Sequence, residues 1–346
     1  MIIRLGIVGF GGMGRGMLRA AEKLEDVEVT AVVEVREEGR ELAEEEFGLV
    51  AFEDLDGMLQ AEATDAVYIA TPNKFHAEQS TRCLEAGVHV FCEKPMAMNA
   101  AEGERMIAAA RRADRKLTIN LSYRANGHAR ALKSALDAGM LGEVYFARTG
   151  WMRNRGIPGR GWFTSKELGG GGPLIDLGVH RIDMALWLMG EPEPVSVTGV
   201  TFDMLGKRIA AARGGDYGVE DLAAGFVRFA NGAALSLEAS WATNSEWRED
   251  MHTDIYGTEG GGTHRSVGGG YEFEARLWGD VAGTFGETIL EPLRGPGHLE
   301  AFINAVRDDA PVPVGPEDAL RVQRVIDGIY RSAELGREVD VTGETS

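Results

Sequence analysis

Cysteine and long apolar runs are scarce in this sequence. Only two cysteines occur among 346 residues, Cys83 and Cys92, and without disulfide-type spacing they favour a reducing compartment. No stretch approaches the roughly 20 apolar residues that cross a bilayer. The chain also runs straight from its first residue into a strand pattern, which leaves no room for a signal peptide. We therefore expect a cytoplasmic protein without a membrane span.

Positive charge is scarce as well. The 36 lysines and arginines are outnumbered by 54 aspartates and glutamates, which gives a net charge of −18. Such a surface repels nucleic acids and anionic membranes, so neither is an expected partner. An apolar fraction of 44% with 26% charged residues is typical of a globular protein. A chain of 346 residues exceeds one ordinary hydrophobic core, which predicts two domains.

The pattern of apolar residues changes about one third of the way along the chain. Roughly the first 120 residues alternate short apolar runs with helical patterns, as parallel sheets built from βαβ units do. Residues 195–290 instead show mostly alternating strands, and two helices follow. We predict an α/β protein with an N-terminal Rossmann domain over residues 1–122. Residues 123–346 are predicted to form an α/β domain with a large, mostly antiparallel open sheet, whose last helices can pack back on the first domain.

A glycine-rich motif follows the first predicted strand and precedes a predicted helix. Residues 9–14 read Gly-Phe-Gly-Gly-Met-Gly, which matches the pattern G-x-G-x-x-G. In that pattern Gly9 permits a tight turn, Gly11 lets the backbone approach a pyrophosphate, and Gly14 lets the helix pack close to the strand. The alternative is a chance glycine cluster at a turn. The residues predicted to contact a dinucleotide here are Gly9, Gly11, Gly12, Met13 and Gly14.

An acidic residue, Glu34, ends the second predicted strand, about 20 residues after the motif. Its carboxylate is expected to accept hydrogen bonds from the adenosine ribose and to repel a 2′-phosphate, which predicts NAD rather than NADP as cofactor. Arg36 is the competing signal, because an arginine at this point can bind the phosphate of NADP. The motif favours a solvated Arg36 at the start of the next helix.

Two polar clusters, residues 71–76 and 93–95, follow later strands of the same predicted sheet. The carboxyl ends of parallel strands share the edge where ligands bind. We expect Asn73 and His76 to position the nicotinamide end of the cofactor, although His76 also fits a helix-start residue with a satisfied side chain. The residues assigned to the cofactor in these clusters are Thr71, Pro72, Asn73, His76, Glu93 and Lys94.

Asp176 and His180 are four residues apart in a segment of helical spacing, which places both on one helix face. With the glycine motif and the Glu-Lys-Pro sequence of residues 93–95, this pair resembles the Gfo/Idh/MocA oxidoreductases (glucose–fructose oxidoreductase, inositol dehydrogenase, rhizopine catabolism). The resemblance runs essentially end to end and implies an open C-terminal sheet that forms a dimer or tetramer interface. It also implies a Lys94–Pro95 bond that can be cis. Further matching segments are residues 85–90, 178–183 and 330–333.

Three residues are candidates for interconverting an alcohol and a ketone. Histidine is the natural acid or base near neutral pH, which points to His180. The positive charge of Lys94 can stabilise a developing alkoxide, and Asp176 can orient the substrate or shift the pKa of the Asp–His pair. The resemblance implies the same three roles. The alternatives are an exposed lysine and a structural Asp–His hydrogen bond.

The stretch of residues 151–163 combines aromatic side chains with arginines. These can stack on a sugar ring and bind its hydroxyls, a carboxylate or a phosphate. A solvated loop with tryptophans at a domain interface is the alternative. With the resemblance, the stretch favours a sugar, polyol or glycoside as substrate. The residues predicted to bind it are Tyr123, Arg153, Arg155, Trp162, Asp176 and His180.

Two other functions fit the same motifs. A glycosidase of similar fold can retain NAD and oxidise its substrate transiently. A non-catalytic NAD(H)-binding regulator is the third function, but such a protein is expected to have lost the lysine or histidine that this sequence keeps. We predict no metal, because the remaining histidines lack metal-ligand spacing; those considered are His128, His252, His264 and His298.

Overall fold

The structure, a computed structural model, describes residues 2–62, 64–159, 162–212, 216–281 and 283–343. The chain divides into two compact units. The first unit comprises Met1–Asn120 and Pro296–Leu320, and the second comprises Leu121–Gly295 and Arg321–Ser346. Within the described residues, no helix combines the length and the apolar character needed to span a bilayer.

The first unit contains a six-stranded sheet with the order β3-β2-β1-β4-β5-β6, and all its strand pairs are parallel. This is the predicted Rossmann arrangement, which is thereby confirmed. Its elements are β1 Ile3–Val8, α1 Gly12–Ala21, β2 Val27–Val33, α2 Glu37–Phe47, β3 Val50–Phe52, α3 Leu55–Gln60, β4 Ala66–Ile69, α4 His76–Glu85, β5 His89–Cys92, α5 Ala100–Ala113 and β6 Leu117–Ile119.

The parallel sheet is buried on both faces. All four residues of β4 are buried, as expected where helices cover both sides of a sheet. A later helix, α10 (His298–Arg307), joins this core through Phe302, whose ring lies 5.3 Å from that of Phe91 on β5. The carboxyl ends of β1, β4 and β5 therefore meet at one edge of a well-packed core.

The second unit contains a nine-stranded sheet with the order β14-β13-β12-β11-β7-β10-β9-β8-β15. β7 and β10 pair in parallel, and the other pairs in the described residues are antiparallel, which confirms the predicted mostly antiparallel sheet. Its elements are α6 Gly127–Asp137, β7 Val144–Arg153, α7 Lys166–Gly169, a π-helical turn Leu174–Gly178, α8 Val179–Leu188, β8 Pro194–Phe202, α9 Met204–Ala212, β9 Leu222–Phe229, β10 Ala234–Ser240, β11 Glu249–Gly257, β12 Gly260–Val267, β13 Glu272–Val281, β14 Thr284–Leu290 and β15 Val339–Asp340. The last helix, α11, spans Pro316–Leu335.

The alternation along β7 divides the second sheet into two faces. Ala147, Thr149 and Trp151 are buried on one face, whereas Phe146 and Arg148 lie on the other. α8 packs on the first face, against β7 and β11, and nearly all of its residues are buried. Trp151 and the residues of α8 therefore share one layer of the core.

Candidate active site

The glycine motif forms the turn between β1 and α1. Gly9 has a φ of +93°, in the left-handed region that favours glycine. A Cβ on Gly14 would lie 2.2 Å from the carbonyl oxygen of Gly9, so a larger residue does not fit there. A Cβ on Gly11 would meet no atom within 4 Å, which leaves the start of α1 open to a ligand. This open helix N-terminus fits the pyrophosphate of a dinucleotide.

Glu34 follows β2 and is only 6% exposed. Its Oε2 accepts from the backbone N–H of Phe10 at 3.1 Å, and its Oε1 accepts from Nε of Arg36 at 3.0 Å. Burial raises the pKa of Glu34, but the hydrogen bonds from Arg36 and Phe10 outweigh it and hold the pKa below its ordinary value. Glu34 is therefore a carboxylate beside the glycine turn, and Arg36 is its ion-pair partner.

Glu93 lies at the carboxyl end of β5 in a network of hydrogen bonds. Its Oε1 accepts from the hydroxyl of Tyr68 and from the side-chain amide of Asn120, the latter at 2.7 Å. Its Oε2 accepts from the backbone N–H of Lys94 at 3.1 Å, and the bond from Lys94 to Pro95 is cis. Three neighbouring strands thus fix the backbone that carries Lys94.

His76 links the two polar clusters. Its ring is 1% exposed, with Nδ1 2.8 Å from the carbonyl oxygen of Pro95 and Nε2 2.9 Å from that of Thr71. Burial lowers the pKa of His76. A neutral imidazole carries one N–H and so donates to only one of these two carbonyl oxygens. His76 thus lies buried at the start of α4, in contact with both polar clusters. The predicted neighbour Asn73 is also buried, in the short 3₁₀ helix Asn73–Phe75.

Asp176 lies in the π-helical turn, and His180 follows in the first turn of α8. Such turns often mark functional sites. The indole Nε1 of Trp241, the residue after β10, donates to Oδ2 of Asp176 at 2.9 Å. The side chain of His180 is 8% exposed, and its ring lies 5.1 Å from that of Tyr123 and 5.9 Å from that of Trp151. Asp176 and His180 are thus positioned among aromatic rings.

Glu220 holds the beginning of this turn, and no local motif signals it. Its carboxylate accepts from the backbone N–H groups of Gly172 and Leu174, at 2.9 and 3.1 Å, and from the hydroxyl of Tyr330 at 2.8 Å. A Cβ on Gly171 would lie 1.9 Å from the Tyr330 hydroxyl, and one on Gly172 would lie 2.1 Å from the Glu220 carbonyl oxygen. The glycine run therefore lets the chain approach these two side chains.

The predicted substrate residues have different partners. Arg153 is bound to Glu249, and the mostly buried ring of Tyr123 packs against Trp151. Burial raises the pKa of Tyr123 to about 12. The exposed Arg155 donates to the carbonyl oxygens of Asn154 and Thr243, and Trp162 stacks on Phe163 with the rings 3.9 Å apart.

Four residues that contact the predicted site residues or the turn that carries Asp176 were not predicted from the sequence. They are Arg181, Glu220, Trp241 and Glu249. Arg181 is fully buried beside Tyr123. In the ranges that the structure describes, no group of three or more His, Cys, Asp or Glu side chains is arranged to hold a metal ion.

Two family models match the chain. Residues 3–121 match a model described as an oxidoreductase family with an NAD-binding Rossmann fold. Residues 129–262 match the GFO/IDH/MocA C-terminal domain.

Curated relatives and solved structures cover nearly the whole chain. D-glucoside 3-dehydrogenase of Escherichia coli K12 is 33% identical over 326 residues, 91% of each chain. Inositol 2-dehydrogenase of Rhizobium meliloti is 26% identical and covers 99% of this chain and all of its own. The aldose-aldose oxidoreductase of Caulobacter crescentus superimposes with a TM-score of 0.82 at 27% identity, covering 98% of this chain and 100% of its own. Levoglucosan dehydrogenase in complex with NADH superimposes with a TM-score of 0.85 at 25% identity, with 99% of each chain covered. The chain therefore belongs to the Gfo/Idh/MocA family of NAD-binding oxidoreductases.

Proposed function

We propose that the protein transfers hydride between NAD and a secondary alcohol or ketone of a sugar, polyol or glycoside. The observation that carries this proposal is the placement of His180 and Asp176 among the rings of Tyr123, Trp151 and Trp241. Aromatic rings stack on sugars, and an imidazole beside a carboxylate can move the hydroxyl proton. The relatives named for glucosides, inositol and levoglucosan support the same substrate class.

The first unit offers the groups that fit NAD. The open N-terminus of α1 at Gly11 suits its pyrophosphate, and the carboxylate of Glu34 suits its ribose hydroxyls. We assign the nicotinamide end to the loops at Asn73 and Lys94. When bound, NAD accepts the hydride that leaves the alcohol carbon, or NADH returns it in the opposite direction.

The chain's own residues handle the proton and the charge. His180 takes the hydroxyl proton as the C–H bond breaks; Nε2 is the atom we assign, because Nδ1 is buried. Lys94 stabilises the oxygen as negative charge develops on it. Asp176, held by Trp241, orients the substrate hydroxyls and the imidazole. In reduction the same groups return the proton.

The test is NADH formation by the purified protein with NAD across glucosides, inositols and aldoses. We expect turnover with at least one of these sugars, and loss of at least about 10²-fold in kcat for His180→Ala and for Lys94→Ala. NAD binding by His180→Ala is the control for folding. Undiminished turnover in His180→Ala would remove it from the mechanism. Aglycone release without net NADH would instead favour the glycosidase.

We also propose that the protein is a homodimer or homotetramer through the second sheet. Strand register places Phe146, Tyr256, Phe226 and Val200 on the face opposite α8, and Val200 is 47% exposed. These apolar side chains share the face with charged ones such as Arg148 and Asp254, and a partner subunit that covered them would stabilise the sheet. Light scattering is expected to give a dimer or tetramer mass that Val200→Glu lowers, and a monomer mass for the native protein contradicts it. The two free, buried thiols of Cys83 and Cys92 suit a reducing cytoplasm.

A further inference from the structure

Arg153, at the end of β7, is held by side chains of the second unit. Its Nε donates to Oε2 of Glu249 at 2.9 Å, and its Nη2 donates to the hydroxyl of Tyr271 at 2.9 Å. Its guanidinium carbon also lies 5.1 Å from the centroid of the Trp151 ring. Three contacts therefore fix the position of this one cation.

Glu249 is a buried carboxylate with two donors on the same oxygen. It is 8% exposed, and Oε2 accepts from Nε1 of Trp151 at 2.6 Å as well as from Arg153. Strand register places Glu249 directly opposite Arg153. Removing one partner of such a pair leaves an uncompensated buried charge, which is strongly unfavourable. An incoming anion that displaced Glu249 from Arg153 would therefore leave this buried carboxylate without its counter-charge.

The remaining charges near this pair also disfavour an anion. Burial lowers the pKa of Arg153, but Glu249, then Tyr271 and then Asp176 raise it above its ordinary value, so two carboxylates act on one guanidinium. Arg155 is hydrogen-bonded to loop carbonyl oxygens. Arg181 is fully buried, out of reach of a ligand. Both predicted anion-binding arginines thus have partners within the protein.

We infer that the site takes an uncharged sugar, and that Glu249 sets this specificity by occupying Arg153 against sugar phosphates and sugar acids. The inference rests on the proposed function, since it concerns the substrate of the same site. Carboxylates accept hydrogen bonds from neutral hydroxyls. Among the described arginines of residues 151–163, a phosphate or carboxylate would meet guanidinium groups already bonded within the protein, beside the carboxylates of Asp176 and Glu249. Arg153 and Arg155 therefore shape the site and do not recognise an anion.

The test compares methyl glucoside with methyl glucoside 6-phosphate and methyl glucuronide. Binding to the protein saturated with NADH is measured by calorimetry, and turnover is measured separately with NAD. We expect both anions to bind at least about 10²-fold more weakly than the neutral glucoside. In Glu249→Gln, Arg153 loses its counter-charge. The affinity for each anionic sugar divided by the affinity for methyl glucoside, called the affinity ratio below, is therefore expected to rise about tenfold.

Glu246→Gln is the matched control, because it removes the same charge from an exposed residue that precedes β11. It is expected to leave the affinity ratio unchanged. The inference is overturned if the native protein binds the anions as tightly as the glucoside, or if Glu249→Gln changes the ratio no more than Glu246→Gln does. Selective binding of the neutral sugar without any turnover would support the inference and overturn the proposed function. Preferential turnover of the 6-phosphate would support the proposed function and overturn the inference. If none of the three sugars binds, both the inference and the proposed function are overturned.

Discussion

The guanidinium carbon of Arg181 lies 4.5 Å from the centroid of the Tyr123 ring, and its three nitrogens have no hydrogen-bond partner among the described residues. Burial lowers the pKa of Arg181 to about 10. Its charge is therefore present at neutral pH and is stabilised chiefly by an aromatic face, an interaction that strengthens when it is desolvated. Because Tyr123 in turn contacts His180, we expect Arg181 to position the imidazole.

Arg181→Met is expected to stabilise the fold and to slow catalysis. Burying the protonated form of Arg181 is unfavourable, so this residue destabilises the fold at every pH below its folded pKa of about 10. The destabilisation fades as the pH rises above that value, because the side chain then loses its proton. Removing the charge should therefore raise the free energy of unfolding at neutral pH by about 1–3 kcal/mol. The loss of the contact with Tyr123 should lower kcat about tenfold with little change in KM. Denaturant unfolding measures the change in stability, and steady-state kinetics measures the change in kcat. An Arg181→Met variant that is less stable than the native protein and has a normal kcat would contradict both expectations.

Tyr123→Phe is expected to keep the pH profile of kcat/KM. Since burial raises the pKa of Tyr123 to about 12, its phenol stays neutral across the working range and contributes no ionisation. We expect the ring of Tyr123 to hold that of His180, which phenylalanine can also do. We expect a profile that coincides with that of the native enzyme up to about pH 10. If the acidic or the basic arm of the pH profile of kcat/KM disappeared in Tyr123→Phe, the proton transfer would be assigned to the tyrosine.

Local sequence patterns predict the first unit well because its chemistry is local. The glycine motif, Glu34 and the cluster at residues 93–95 each directly follow a strand, and parallel strands bring such positions to one edge. The direction of the His76 ring depends instead on the carbonyl oxygen of Pro95, 19 residues away, so the sequence left two interpretations open.

The second unit is predicted less completely because its side chains meet through long-range strand pairing. Trp241 is 65 residues from Asp176, and Glu249 is 98 residues from Trp151. Sheet register brings together the strands that carry Trp151 and Glu249, and packing of the π-helical turn against β10 brings Asp176 to Trp241. Periodicity specifies neither of these. The helix α9 also interrupts the region that reads as alternating strands.

Glu34→Gln is expected to weaken the preference for NAD. The charge that repels a 2′-phosphate is removed, and the largely exposed Arg36 loses the carboxylate that holds it. Both changes favour NADP, so we expect the ratio of kcat/KM for NAD to that for NADP to fall about 10–100-fold. Glu37→Gln removes the same charge from the exposed first turn of α2 and should leave the ratio near the native value. A native enzyme that prefers NADP would contradict the role given to Glu34.

Gly11→Ala and Gly14→Ala separate cofactor binding from folding within one motif. A Cβ on Gly11 meets no atom within 4 Å, and the backbone there, at φ −73°, accepts any residue, so the variant should keep native stability. The added methyl group should obstruct the pyrophosphate at the start of α1 and weaken NAD binding at least about tenfold. A Cβ on Gly14 meets the carbonyl oxygen of Gly9 at 2.2 Å, so Gly14→Ala should lower the free energy of unfolding by at least about 2 kcal/mol. Thermal unfolding and calorimetric titration with NAD distinguish the two variants. A stable Gly11→Ala that binds NAD normally would show that the pyrophosphate does not lie against this turn.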